Sequence, residues 1–170
     1  MKLLLALFLV SCAHDVKRSN GGVGLLPVGA DAPELVAHDV SHREVRLSGL
    51  RGHSVVVYFY PMDGSPGCTR EACAFRDVWQ RFREADVAIV GVSSNSDEDH
   101  QRFLENKHLP FALASDRDGA LAAAYGVTKH FWGEARVTFL IDKNGKIARV
   151  WPSVDPGVHA DEVLAAAKNQ

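Results

Sequence analysis

Residues 55 to 77 read VVVYFYPMDGSPGCTREACAFRD, a run that passes from strand through loop to helix and sets the frame for the remaining elements. Val55 to Tyr60 are all β-branched or aromatic, and such a continuous run predicts a central strand covered on both faces. Ser65 followed by Pro66 suits a helix N-cap with proline at the first helical position. Phe75, Val78, Trp79 and Phe82 then recur at helical spacing, predicting one helix that runs to about residue 84.

Working outward, residues 35 to 36 and 45 to 47 suggest two short strands, and residues 87 to 92 a second buried strand. Residues 97 to 107 predict a helix opened by a Ser96 cap with acids in its first turn. A short strand over 111 to 113 and a short helix over 119 to 125 follow. Two apolar runs, 136 to 141 and 146 to 151, flank Asp142-Lys143-Asn144-Gly145, and Asn-Gly between such runs is a strong hairpin signal. Residues 159 to 168 close the chain as a helix. Strand and helix alternating first, with a hairpin and helix last, predict an α/β fold: a mixed central sheet with helices on both faces.

The 170 residues suit one domain with a substantial core, and 46% apolar with 24% charged residues argues for an ordinary globular chain. A formal charge of −2 gives no electrostatic reason to expect nucleic acid as a partner. The N-terminus differs in character. Met1-Lys2, then LLLALFLV, then Ser11-Cys12 has the pattern of an export signal, too short to span a bilayer. Leu9 to Cys12 resembles the bacterial lipobox, so residues 1 to 11 are expected to be a lipoprotein-type signal peptide. Cys12 is then the expected lipidation site and membrane anchor, placing the protein in the bacterial cell envelope on the periplasmic side. Residues 12 to 30, rich in polar residues and glycine, are expected to be a tether, and residues 31 to 170 the domain.

Two further cysteines, Cys68 and Cys73, lie within the domain. Cys68 falls in the first turn of the expected helix, where free N–H groups and the positive end of the dipole favour a thiolate. With Phe75 at zero on a helical wheel, Cys68 falls at about +20° and Cys73 at about 160°, so the sulfurs point to opposite sides. Five residues of helix separate their Cα atoms by roughly 8 to 9 Å, beyond the reach of a disulfide unless the backbone moves. That suits a switchable redox pair that bonds only when the turn unwinds. The residues equally admit Cys68 as a small buried side chain and Cys73 as an exposed thiol without a role.

The stretch from Pro61 to Cys68 resembles the peroxiredoxin signature Pro-x-x-x-Thr/Ser-x-x-Cys, and Pro-Gly-Cys-Thr-x-Glu-x-Cys-x-Phe-Arg-Asp resembles the peroxiredoxin Q, or bacterioferritin comigratory protein, subfamily. The resemblance extends from Ala32-Pro33 through Arg136-Val137-Thr138-Phe139-Leu140-Ile141-Asp142 to about residue 168. It implies a thioredoxin-like fold and hydroperoxide reduction without metal, haem or flavin, the oxidised enzyme being recycled by a thioredoxin-like reductant. It further implies Cys68 as the peroxidatic cysteine and Cys73 as the resolving cysteine of an intramolecular disulfide. Ser65 is the implied hydrogen-bond partner of peroxide and thiolate, Pro61 the shield of the thiolate, and Arg136 the guanidinium that holds it. From spacing alone Ser65 is equally a helix cap, and Arg136 a solvated strand-end arginine. A resolving cysteine in the same helix needs no second subunit, so a monomer is expected.

Three other classes compete. A thioredoxin-type thiol-disulfide oxidoreductase normally uses Cys-x-x-Cys, and the spacing here is Cys-x-x-x-x-Cys. An exported copper-binding protein on the same fold needs two cysteines and a distant histidine, for which His130 is the candidate. A purely structural lipoprotein requires unreactive thiols.

Overall fold

The computed structural model describes residues 17, 18 and 21 to 169; the signal-peptide and Cys12 expectations lie outside the described residues. The elements are β1 (Val36–His38), β2 (Glu44–Arg46), β3 (Ser54–Phe59), α1 (Pro66–Asp77), α2 (Trp79–Glu84), β4 (Val87–Ser93), α3 (Asp97–Lys107), β5 (Ala112–Ser115), α4 (Ala120–Tyr125), β6 (Lys129–His130), β7 (Gly133–Glu134), β8 (Val137–Ile141), β9 (Ile147–Trp151) and α5 (His159–Ala167). Seven strands form one sheet in the order β2-β1-β5-β4-β3-β8-β9, and β6 and β7 make a separate small hairpin. β3, β4 and β5 run parallel, whereas β8 pairs antiparallel with β3 and β9 with β8. This is a mixed α/β sheet of thioredoxin-like type, as expected.

All six residues of β3 are buried, and the alternation of a strand divides them between two cores. Val56 and Tyr58 face the core that takes Phe75 of α1, Phe82 of α2, Phe103 and Leu104 of α3, and Val163 and Leu164 of α5. Val55, Val57 and Phe59 face the other, with Leu35, Leu47 and, from α4, Ala122 and Tyr125. Each such side chain stabilises the fold by about 1.5–3 kcal/mol relative to an exposed one, so the strand that leads into the loop is among the most firmly held parts of the chain.

The expected caps hold for α3, whose Ser96 and Asp99 form a reciprocal capping box with Asp97, Glu98 and Asp99 in the first turn. The helix expected to run to residue 84 instead breaks at Val78, whose backbone leaves the helical region (φ −108°, ψ 12°). Across the break the rings of Phe75 and Phe82 are 5.8 Å apart, so both segments feed one core. The β6–β7 hairpin was not foreseen; two-residue strands carry too little periodicity to be read.

The tether expected over residues 12 to 30 needs correction at its C-terminal end. Leu26 is only 3% exposed and belongs to the core beside Tyr125, and its N–H donates to the Tyr125 carbonyl at 2.9 Å. Gly29 and Ala30 exchange backbone bonds with Ile147. Gly126 has φ +73°, and a Cβ there would fall 1.9 Å from the Gly24 carbonyl oxygen, so the close approach requires glycine. Packing therefore begins ahead of Asp31. Leu26→Ala should cost about 2–4 kcal/mol in chemical denaturation; a loss within error would return this segment to the tether.

Candidate active site

The site forms at the carboxyl ends of β3 and β4, where the chain leaves β3 through residues 60 to 65 and enters α1. Three contacts fix that loop. The Tyr60 hydroxyl donates to Asp63 Oδ1 at 2.6 Å, His100 Nδ1 of α3 lies 2.8 Å from Asp63 Oδ2, and the Asp63 N–H donates to Asn95 Oδ1 at 2.9 Å. His100 Nε2 meets the Ala114 carbonyl at 3.2 Å, so the buried histidine ties the loop to β5. On the other side the β6–β7 hairpin closes against Pro61. A Cβ on Gly133 would fall 1.9 Å from the Pro61 carbonyl oxygen.

Cys68 occupies the first turn of α1 and is 1% exposed. In contrast to α3, this turn carries no acidic residue and no side-chain cap. Ser65 holds the N-cap position, yet its hydroxyl donates to the Met62 carbonyl at 3.2 Å, so the side-chain cap expected of it is absent. The positive end of the helix thus has no carboxylate to satisfy it and is available to a thiolate.

The guanidinium comes from Arg136. Antiparallel pairing of Phe59 with Val137 sets residue 136 beside the exit of β3, at the same sheet edge as the start of α1. Arg136 Nη2 donates to Cys68 Sγ at 3.1 Å, and Nη1 pairs with Glu71 Oε2 at 2.5 Å. Burial works against the Arg136 charge, but Glu71 and Cys68 outweigh it and hold its pKa above the ordinary value. Gly67 leaves the space for this fork; a Cβ there would fall 2.8 Å from Arg136 Nη2.

Of the residues singled out from sequence, Cys68 and Arg136 are in direct contact. Pro61 and Ser65 lie in the loop that leads into α1, and neither makes a hydrogen bond to Sγ among the described contacts. Cys73 lies on the same helix and is half-buried, and both thiols are free. The intact helix keeps the two apart, as the wheel required. Trp79 packs 6.1 Å from Phe111. His130 stacks on Trp132 with ring centroids 4.8 Å apart, and both residues of its strand β6 are exposed; among the described residues no group of three potential metal ligands gathers.

Sequence reasoning missed Glu71, Gly67 and the Asp63–His100 pair. For Glu71 the signal was present: three residues after Cys68, it lies within about 40° of Phe75 on the same wheel, so an acid was being placed on the buried face. Its side chain is 1% exposed, and burial pushes its pKa up to about 7 against the opposing pull of Arg136. His100 similarly shares the buried stripe of α3 with Phe103 and Leu104.

The chain is similar to known proteins over most of its length. Residues 28–150 match the AhpC/TSA family. A putative peroxiredoxin bcp from Coxiella burnetii is 41% identical over 146 residues, covering 82% of this chain and 97% of that protein. Among solved structures, peroxidoxin BcpB from Mycobacterium tuberculosis superposes with a TM-score of 0.77 at 33% identity, over 85% of this chain and 97% of the other. The bacterioferritin comigratory protein of Xanthomonas campestris, described for its alkyl peroxide reduction activity, gives 0.72 at 34% identity over 79% and 90% of the two chains.

Gly67→Ala provides a test of the Arg136 seat. Alanine suits a helical position by about 1 kcal/mol over glycine, so the thermal midpoint should hold or rise. The displaced guanidinium should lower the second-order rate of peroxide consumption by at least about tenfold. An unchanged rate would show that the fork tolerates displacement.

Proposed function

We propose that Cys68 is the peroxidatic cysteine and Cys73 the resolving cysteine of this chain, which belongs to the AhpC/TSA family and, within it, to the peroxiredoxins of the Q or Bcp type. As such it is a thiol-dependent peroxidase. The observation that carries the residue assignment is the 3.1 Å hydrogen bond from Arg136 to the sulfur of a buried thiol in an uncapped first helical turn.

The thiolate attacks the terminal oxygen of the hydroperoxide. An S–O bond forms, the O–O bond breaks, and its electron pair leaves on the alkoxide, or on hydroxide when the substrate is hydrogen peroxide. Arg136 donates where that negative charge develops, beside a sulfur that is buried. The Cys73 thiolate then attacks the Cys68 sulfenic acid: the S–S bond forms, the S–O bond breaks, and the departing hydroxide takes the proton given up by the Cys73 thiol and leaves as water. Because both cysteines sit in one continuous helix, this second step requires α1 to unwind between them. The first turn is suited to that, since it has neither side-chain cap nor acidic first-turn residue, and the buried acid Glu71 follows in the next turn. A thioredoxin-like dithiol returns the disulfide to two thiols. Ser65 and Pro61 serve as hydrogen-bond partner and shield as the substrate enters. Alkyl hydroperoxides, which the Xanthomonas protein reduces, join hydrogen peroxide as substrates of this reading.

One equivalent of hydrogen peroxide added to the reduced protein should produce a Cys68–Cys73 disulfide within one chain, mapped by mass spectrometry. Cys68→Ser should abolish peroxide consumption, and Cys73→Ser should allow one turnover and lose thioredoxin-supported cycling. Survival of both thiols in excess peroxide would dismiss the assignment.

The proposal extends to location on the strength of residues 1 to 12 alone: export as a monomeric lipoprotein anchored through Cys12 on the periplasmic side of the bacterial envelope. The mature protein should begin at Cys12 and carry lipid, and Cys12→Ala should release it from membranes. An intact N-terminus at Met1 would refute this.

A further inference from the structure

Two acids share the one guanidinium at this site. Arg136 Nη1 meets Glu71 Oε2 at 2.5 Å while Nη2 meets Cys68 Sγ at 3.1 Å. Glu71 stands one helical turn beyond Cys68 on the same buried face, and its second oxygen, Oε1, has no hydrogen-bond partner. The titratable and charged groups that face it are Arg136 from the segment before β8, Cys68 from its own helix, and Tyr58 from β3. The Tyr58 hydroxyl is itself buried without a partner, and burial together with Glu71, Asp63 and Cys68 keeps its pKa well above the ordinary value. A carboxylate, a thiolate and one guanidinium would together leave an uncompensated negative charge on two side chains that are each 1% exposed, which is costly. One proton removes that charge, and its two available holders are coupled through Arg136.

We propose that Cys68 and Glu71 hold a single proton between them across Arg136: Glu71 is a neutral acid while Cys68 is a thiolate, and it ionises when peroxide consumes the thiolate. Burial, which raises Glu71 to about 7, fits it to hold that proton at neutral pH. The proton balance of the reaction follows. The thiolate takes an OH group from the hydroperoxide, becoming the sulfenic acid and leaving an alkoxide that needs one proton. The carboxylic acid of Glu71 releases one, becomes the counter-ion of Arg136, and the alcohol leaves neutral. Sulfur is oxidised, the peroxide is reduced, and the pocket completes the step without net uptake from water. Glu71 acts through Arg136 as a positioning and charge-balancing residue. A glutamine would keep the contact to Arg136 and lose the proton.

This inference rests on Cys68 as the peroxidatic thiol, and its test is read without turnover. Infrared difference spectra of the reduced protein at neutral pH, wild type minus Glu71→Gln, isolate Glu71 from the other buried acid of raised pKa, Glu134. A carboxylic acid carbonyl band should be present in the wild type and absent in Cys68→Ser, where Arg136 has only Glu71 to pair. No such band in the wild type, or a band of equal strength in Cys68→Ser, overturns the proposal. As a second measurement, the pH profile of Cys68 alkylation by iodoacetamide, followed by peptide mass, should shift to lower pH in Glu71→Gln. Alkylation near pH 5 should be about tenfold faster, because the guanidinium then serves the thiolate alone. A merely structural Glu71 would free Arg136 to drift and move the profile to higher pH, which also overturns the proposal. If peroxide fails to oxidise Cys68 while the band behaves as expected, the catalytic assignment falls and the shared proton stands.

Discussion

The antiparallel pairing of β8 with β3 is the constraint on which the site depends. Phe59 faces Val137 in that register, so Arg136, the residue just outside β8, arrives beside the loop that begins at Tyr60. A slip of one residue would turn Val137 and Phe139 to the opposite core and carry Arg136 off the site. Register is secured by burial on both faces: every residue of β3 and of β8 is buried. The hydrophobic core therefore does more than stabilise the sheet. It delivers a guanidinium to a thiol 68 residues earlier in the chain with an accuracy that a loop could not supply.

Around that contact the molecule divides its helices into a firmly ended one and a loosely ended one. α3 opens with a capping box and three acids in its first turn, and its His100 steadies the active-site loop through Asp63. α1 opens on Pro66 without a side-chain cap. The same omission serves two needs, since a positive helix end that no carboxylate satisfies stabilises a thiolate and an uncapped turn unwinds at lower cost. Glu71 adds to the second effect. It is a buried acid held by a shared partner, so its burial weakens the turn that contains Cys68 even as it orients Arg136.

Much of this could be read in the residues. The β-branched and aromatic run from Val55 to Tyr60, the Ser65-Pro66 start and the Asn144-Gly145 hairpin set the order of elements, because each is a local rule of backbone geometry. The wheel placed Cys68 inward and Cys73 away from it, and the helix bears that out. Local rules failed where packing overrode them. The helix breaks at Val78, the segment around Leu26 joins the core instead of serving as tether, and Ser65 turns its hydroxyl to Met62 because the loop geometry brings that carbonyl within reach.

What the sequence determined by itself, then, was the thiol chemistry and its framework: a cysteine in a first helical turn, a second cysteine out of reach along the same helix, and a motif specific enough to imply the family. Only the tertiary structure decided which charges meet that thiol. Arg136 and Glu71 find each other through a strand register and a space left by Gly67, and no short-range pattern shows that the two meet. Burial then makes their shared charge matter, because a dielectric boundary is a property of the packed molecule and not of its residues taken in order.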